Sequence, residues 1–235
     1  MVDASVLEGN RLLSLLPAGN SATIRRLAEH VPLTFKEPVM SAGKPIDYVY
    51  FPLSGIVSII VDLDEGFSVE AVTVGREGMV GLNAFLNTPR PPWRAFCQIA
   101  GDALRVRARD FLQETRQDDH LALVLFRYTN AVIAGVAQTA ACNRAHTLEE
   151  RMCRWLLTTR DRVDSDDFPL TQEFLGQMLG VRRPSVSLAG IALQHAGLIS
   201  YTRGRITIRD RTGVEQASCE CYEAAKRHYE ESMRM

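Results

Sequence analysis

Residues 168–208 constrain this 235-residue chain more than any other stretch. Phe174, Leu175, Met178 and Leu179 share one face of a helix over 171–179, and Gly180 just past its end supplies the residue that commonly stops a helix. A second helix begins near Pro184, where proline costs little because that N–H has no helical partner anyway. It is expected to bury Val186, Ala189, Ile191 and Leu193 and to stop at Gly197. Two helices joined by a short glycine-containing turn form a helix-turn-helix pattern. Residues 198–201 and 205–208, around a turn at Arg203-Gly204, then read as a β-hairpin, the wing of a winged helix.

The side chains here suit DNA. Arg182 and Arg183 open the second helix, with Ser185 and Ser187 close behind, and such groups reach base edges and phosphates from a helix N-terminus. Thr171 caps the first helix and, with Gln172, is placed to hold backbone phosphate; Arg203 sits at the wing tip. Between 168 and 211 six arginines stand against only Glu173 and Asp210, a net of +4. The chain as a whole carries −1: residues 1–150 sum to −3, 151–211 to +4 and 212–235 to −2. A basic segment inside a near-neutral chain points to one nucleic-acid-facing module, not a general polyanion binder.

The rest of the chain has a different texture. With 46% of residues hydrophobic a sizeable core is available. Residues 5–30 look helical around a break at 17–20, and short β-branched and aromatic runs follow. Strands are expected at 48–51, 56–63, 68–74, 78–80, 96–100 and 103–107, with a hairpin turn at Asp64-Glu65-Gly66. Such spacing suits an antiparallel roll. A long helix then covers 118–145, with Leu121, Val124, Leu125, Tyr128 and Val132 as its apolar stripe. Its length and its small residues Ala131, Ala134, Gly135 and Ala137 imply pairing with a second copy as a coiled coil. A break is expected at Ala145-His146-Thr147, a charged connector at 160–167, and a final helix over 213–235.

No run approaches the ~18 apolar residues of a membrane span, and the first ten residues lack a basic region before an apolar core. A cytoplasmic location with five reduced cysteines is therefore expected. Cys97, Cys142 and Cys153 read as core residues. Cys219 and Cys221, on one helix, point in different directions with no histidine or cysteine near them at a usual ligand spacing; the five histidines are scattered. No metal site is expected from this pattern. No catalytic motif is present either, so the chain is not read as an enzyme.

The segment 168–208 is similar to the DNA-binding domain of the Crp/Fnr family of bacterial transcription regulators. Tyr48-Val49-Tyr50-Phe51-Pro52-Leu53-Ser54-Gly55 and Val74-Gly75-Arg76-Glu77-Gly78 resemble that family's cyclic-nucleotide-binding roll. The likeness spans about residues 20–210. It implies an α+β protein: an N-terminal antiparallel β-roll (jelly-roll-like) sensor domain (1–117), a long dimerisation helix (118–147) and a C-terminal winged helix-turn-helix (148–235). It also implies a homodimer through 118–145 that binds double-stranded DNA at an inverted repeat, with RNA polymerase as a further partner and no membrane. The alternative is a small-molecule-binding regulatory module whose helix-turn-helix contacts a protein.

Residue by residue, Arg183 matches the family's guanine-reading arginine, Pro184 replaces an acidic base reader and Leu188 a second arginine. The effector pocket maps onto Gly81, Leu82, Asn83, Arg94, Ala95 and Val136. In cyclic-AMP-binding members the short helix opens with Gly-Glu, the glutamate holding the ribose; here Leu82 stands in its place and accepts no hydrogen bond. Arg94 is one residue out of register with the phosphate-binding arginine. Val136 and Ala137 occupy positions that carry base-contacting hydroxyls. Cyclic AMP is therefore not the expected ligand. A different small effector, or none, are the two alternatives. The iron–sulfur version of the family, which needs an N-terminal cysteine cluster, is not expected.

Overall fold

The computed structural model describes residues 4–64 and 68–234, which divide into two units. One holds residues up to 60, 72–133 and 229 onward; the other holds 61–71 and 134–228.

The first unit opens with α1 (Ala4–Leu7), α2 (Arg11–Ser14) and α3 (Ala18–Leu27). Pro17 is the N-cap of α3, so the expected break at 17–20 falls at a helix start, and Gly19 and Asn20 are helical. β1 (Glu29–Leu33) and β2 (Pro38–Met40) follow, neither anticipated, because Pro32 and Pro38 mask their pattern. Next come β3 (Tyr48–Pro52), β4 (Ile56–Asp62), β5 (Ser68–Val74), α4 (Leu82–Phe85), β6 (Arg94–Ile99) and β7 (Gly101–Arg107), the end of β4 and the start of β5 within 61–71 belonging to the second unit. The strands form two sheets, β1-β7-β3 and β2-β6-β4-β5, and β1–β7, β3–β7, β2–β6 and β4–β6 are antiparallel. Residues 78–80 are not a strand; only a single bridge joins Val80 to Tyr50. The turn expected at Asp64-Glu65-Gly66 lies largely outside the described residues.

Alternation along β3 shows why these residues make a sheet with two unlike faces. Val49 and Phe51 are fully buried, whereas Tyr48 and Tyr50 are half-exposed. On the outer face the Arg105 guanidinium lies 4.4 Å from the Tyr48 ring centre and 2.8 Å from a Glu29 oxygen. Gly55 has φ +73°, and a Cβ there would meet the Ile99 carbonyl oxygen at 2.4 Å, so no other residue fits.

Two polar anchors hold the roll to its helices. Asn10, completely buried, caps α2: its Oδ1 accepts from the Leu12 and Leu13 N–H groups, both at 3.1 Å. Its Nδ2 donates to the Pro52 and Gly78 carbonyls, both at 2.9 Å, so one side chain ties the N-terminal helices to β3 and to the 74–78 loop. The second anchor is Tyr128, whose hydroxyl accepts from the Met79 N–H at 3.1 Å and donates to the Met79 carbonyl at 3.3 Å. A Cβ on Gly78 would collide with that hydroxyl.

After β7 the chain forms α5 (Ala108–Gln117) and then α6 (Asp119–Ala145). The expected stripe of α6 is its covered side: Leu121, Val124, Leu125 and Tyr128 are buried and Val132 partly so. The opposite side is apolar too. Leu123, Phe126, Ile133 and Val136 are exposed, Phe126 and Ile133 by more than 60%. By length and composition alone α6 is apolar enough to cross a membrane, which corrects the expectation of no such segment. Asn130, Gln138 and Thr139 interrupt the run, so counting consecutive apolar residues passes over it.

Beyond 145 the second unit contains α7 (Leu148–Val163), β8 (Asp167–Pro169), α8 (Gln172–Leu179), α9 (Arg183–His195), β9 (Ile199–Thr202), β10 (Arg205–Ile208), α10 (Arg211–Ala217) and α11 (Cys221–Met233), the last of which runs on past 228. Thr147 starts α7 through a capping box with Glu150: Thr147 N–H donates to the carboxylate at 2.8 Å and Glu150 N–H to the hydroxyl at 3.4 Å. The break between α6 and α7 falls where it was expected. The single tail helix does not form; Ser218, Cys219 and Glu220 separate α10 from α11.

Replacing Asn10 with alanine strands two backbone donors and two carbonyls in the core. An Asn10→Ala protein should lose about 2–3 kcal/mol of stability, read as a lower urea midpoint. An unchanged midpoint would show that water substitutes for the amide.

Candidate nucleic-acid interface

The helix-turn-helix is built from its caps. Thr171 Oγ accepts from the Phe174 N–H at 3.1 Å to start α8, and Gly180, φ +66°, ends it. Gly180 and Val181 return N–H groups to Gln177 and Gly176, tightening the turn. A Cβ on Gly176 would meet the Val181 carbonyl at 2.9 Å, so glycine here lets the turn fold back on the helix. α8 buries Leu175, Gly176, Met178 and Leu179 and leaves Phe174 partly exposed.

α9 begins one residue before Pro184, with Arg182 as its N-cap. Its covered face is Val186, Ala189, Gly190 and Leu193. Ile191 is not on that face: it is 47% exposed, a correction to the sequence expectation. Gly190 takes its place because Tyr201 and Met152 pack where an added Cβ would point. Leu188 is the most exposed large apolar residue described, at 70%. It stands beside Arg182, Arg183, Pro184 and Ser185, all exposed.

The wing is a β9–β10 hairpin whose two turn residues, Arg203 and Gly204, have φ +49° and +73°. Two successive left-handed residues are the hairpin turn that matches strand twist. β8 adds a third strand against β10, giving the order β8-β10-β9. The wing is pinned at both ends: Leu170 N–H donates to the Gly204 carbonyl at 2.8 Å, and Tyr201 N–H to Gln194 Oε1 on α9 at 2.8 Å. The wing turn is thereby held beside Thr171 at the start of α8.

The six arginines separate into two groups. Arg205 pairs with Asp167 at 2.6 Å, Arg211 with Glu215 at 2.8 Å and Asp161 at 3.2 Å, and Arg209 donates to Ser200 at 3.1 Å. Arg182, Arg183 and Arg203 have no carboxylate partner among the described residues. They lie at the N-terminal end of α9 and the tip of the wing. Ser187 also departs from a simple reader. Its hydroxyl donates to Gln172 Oε1 at 2.8 Å, with the Arg183 carbonyl at 3.1 Å, clasping α9 to the start of α8.

The expected effector residues are only partly gathered. Gly81, φ +94°, is the N-cap of the four-residue α4, and Leu82 packs against the core of the roll. Asn83 Nδ2 donates to Thr88 Oγ1 at 3.4 Å. Arg94 lies on β6 over the Phe96 ring, 5.6 Å from its centre, and Ala95 is buried. The 87–92 loop is fastened to the 41–46 loop, Gly43 donating to the Pro91 carbonyl and Ile46 to that of Pro89. Val136 belongs to the second unit and the other five residues to the first.

A different group converges without sequence warning. The ligand-type atoms of Cys142, His146, Cys219 and Cys221 all lie within 4.8 Å of one another. Cys219 and Cys221 do not share one helix, contrary to expectation: Cys219 lies in the α10–α11 break and Cys221 is the first residue of α11, and both sulfurs reach the same group. Cys142 is not an isolated core cysteine, whereas Cys97 and Cys153 are buried apart from this group. Burial pushes the Cys97 thiol up to about 11 and that of Cys153 up to about 12.

These elements define a β-roll carrying a winged helix-turn-helix, the architecture of a DNA-binding regulator. The family model of the cyclic nucleotide-binding domain matches residues 32–118, and that of the Crp-like helix-turn-helix domain matches 150–217. The chain belongs to the Crp/Fnr family of transcription regulators, which are not enzymes. No curated protein matches it. Among solved structures it is similar to FixK2 from Bradyrhizobium japonicum, with 19% identity and a TM-score of 0.70, over 82% of this chain and 98% of that one. A putative Crp/Fnr transcriptional regulator from Eubacterium rectale gives 17% and 0.68, over 89% and 98%. The c-di-GMP-responsive global regulator CLP of Xanthomonas campestris gives 14% and 0.69, over 83% and 100%. At these identities the likeness is one of fold.

The wing depends on its turn. Substituting Gly204 with valine forces a branched side chain to φ +73°, a strain of about 1–2 kcal/mol. The β9 and β10 amides should then exchange with solvent several-fold faster while those of α7 do not change; uniform exchange across both would mean that the turn does not limit the wing.

Proposed function

We propose that the protein binds DNA sequence-specifically as a homodimer, with one α9 from each copy in successive major grooves of an inverted repeat. The observation that carries this reading is the placement of Arg182, Arg183 and Arg203, the arginines of the basic segment with no carboxylate partner, on the α9 N-terminus and the wing tip. Guanidinium groups held away from acids keep their five donors available for phosphate and for the O6/N7 edge of guanine. In this reading Arg183 and Ser185 contact bases, Thr171, Gln172, Arg182 and Arg203 hold phosphates, and Ser187 positions α9 through Gln172. With Pro184 and Leu188 on the same exposed edge, the preferred site differs from that of the cyclic-AMP-responsive members.

The exposed side of α6 supports the dimer. Leu123, Phe126, Asn130, Ile133, Ala137 and Ala140 are separated alternately by three and four residues. That is a heptad seam, and a second copy would cover it. The division of labour is 1–117 as sensor, 118–147 as dimer and coupling helix, and 148–235 as the DNA-reading part. An effector, if the roll takes one, acts by binding one orientation of the paired α6 helices better than another. Leu82 packed on the roll core argues against a cyclic nucleotide in that role.

Selection of genomic fragments by the purified protein at moderate salt, with no ligand added, should recover an inverted repeat with half-site centres about one helical turn apart. Retention of nothing specific, with or without a metabolite extract, would sink the reading. On the recovered site Arg183→Ala should weaken binding by about 1–3 kcal/mol, and Arg205→Ala, whose guanidinium is engaged by Asp167, by much less. Ile133→Glu places a charge in the seam and should yield monomers by sedimentation; a stable Ile133→Glu dimer would put the interface elsewhere.

A further inference from the structure

We propose that Cys142, His146, Cys219 and Cys221 form a closed tetrahedral Zn²⁺ site that ties the end of α6 to the α10–α11 junction. The site lies wholly within the second unit and is independent of the DNA-binding reading.

The donor set is assembled from two short spacings. Cys142 and His146 are one helical turn apart, and the His146 N–H still donates to the Cys142 carbonyl at 3.1 Å, so their side chains share a face. Cys219 comes from the break between α10 and α11 and Cys221 from the first position of α11, and all three cysteines are buried. The Cys142 and Cys219 sulfurs are 3.5 Å apart, and Cys221 Sγ is 3.6 Å from His146 Nδ1. With Zn–S of about 2.3 Å and Zn–N of about 2.0–2.1 Å, a tetrahedron has S···S edges of about 3.8 Å and S···N edges of about 3.5 Å. The observed separations lie within about 0.3 Å of these edges. They do not suit a disulfide, whose sulfurs bond at about 2.05 Å.

Groups around the four donors favour the metal-bound form. His146 turns Nδ1 to the cluster, and its Nε2 lies 3.1 Å from a Glu220 carboxylate oxygen. A carboxylate on the remote nitrogen fixes the tautomer that leaves Nδ1 free to ligate, as such partners do for zinc-bound histidines. Gln138 Nε2 donates to Cys221 Sγ at 3.0 Å, a bond that strengthens when the sulfur is a thiolate. Three thiolates and one imidazole give Zn²⁺ a formal charge of −1, and Arg151 and Arg154 are close enough to Cys142 to offset it. Without a metal, burial raises the Cys142 thiol and takes that of Cys219 up to about 12. Zn²⁺ binding sends the proton of each ligating thiol to solvent and forms three Zn–S bonds and one Zn–N bond, with no redox change. Four soft and borderline ligands with no open position select zinc among the common divalent ions, and a structural role over a catalytic one.

The test uses the full chain, purified reduced and without chelator or histidine tag. Metal analysis should find one zinc per chain, and its removal should lower the melting temperature. Adding Co²⁺ to the stripped protein should produce the ligand-field bands of tetrahedral cobalt with a thiolate-to-cobalt charge-transfer band. Cys142→Ser and Cys221→Ser should each weaken that band. Glu220→Gln keeps all four ligands and, being exposed, should fold; it should keep the spectrum while weakening metal affinity about 10–100-fold. A folded, reduced chain that binds neither Zn²⁺ nor Co²⁺ overturns the proposal. So does a cobalt spectrum unchanged by Cys142→Ser, iron with inorganic sulfide in place of zinc, or a Cys142–Cys219 disulfide in metal-free protein.

Discussion

A helix with more apolar surface than its own roll can cover is the constraint on which the rest of this protein depends. Over its first three turns α6 buries Leu121, Val124, Leu125 and Tyr128 and exposes Leu123 and Phe126 on the other side. The covered side is fastened by a polar contact as well as by packing: the Tyr128 hydroxyl occupies the space that Gly78 leaves vacant and satisfies both backbone groups of Met79. One face thus commits the helix to the roll. The other is left exposed and apolar, and it is the side that the proposed second copy would cover.

Charge placement does for the DNA-reading part what packing does for the roll. Counting arginines identifies the segment but not the contact surface. Asp167 neutralises Arg205, and Asp161 with Glu215 neutralises Arg211. These pairs join β8 to β10 and α10 to α7, and they leave Arg182, Arg183 and Arg203, the residues of the proposed DNA contact, without a carboxylate partner among the described residues. The Ser187–Gln172 clasp and the Gln194–Tyr201 bond then fix α9 against α8 and against the wing. A reading helix must be rigid in its seat to discriminate base edges, and here neutral side-chain hydrogen bonds provide that without spending the free arginines.

Much of this was legible in the chain. Gly180, Pro184 and Gly197 punctuate the two helices because glycine and proline act through backbone geometry that neighbours cannot override. The Thr147–Glu150 capping box likewise marks the start of α7 from four consecutive residues. What failed were the readings that needed knowledge of what lies opposite. Ile191 has the right spacing for the core, yet Tyr201 and Met152 crowd the Gly190 side and leave Ile191 outside. β1 and β2 carry prolines and have little pattern of their own; they are strands because β7 and β6 offer them edges.

The cysteines draw the same line most sharply. Sequence by itself determined the class of fold, the helix-turn-helix with its wing and the basic stretch, because periodicity, caps and turn residues act over a few positions. Only the tertiary structure decided which arginines remain free and which side of α6 stays uncovered. It also brought Cys142 and His146 against Cys219 and Cys221, more than seventy positions away along the chain. The physical reason is that burial and pairing depend on distances between elements, and a break of three residues between α10 and α11 is enough to turn two thiols toward a helix that no local pattern connects to them.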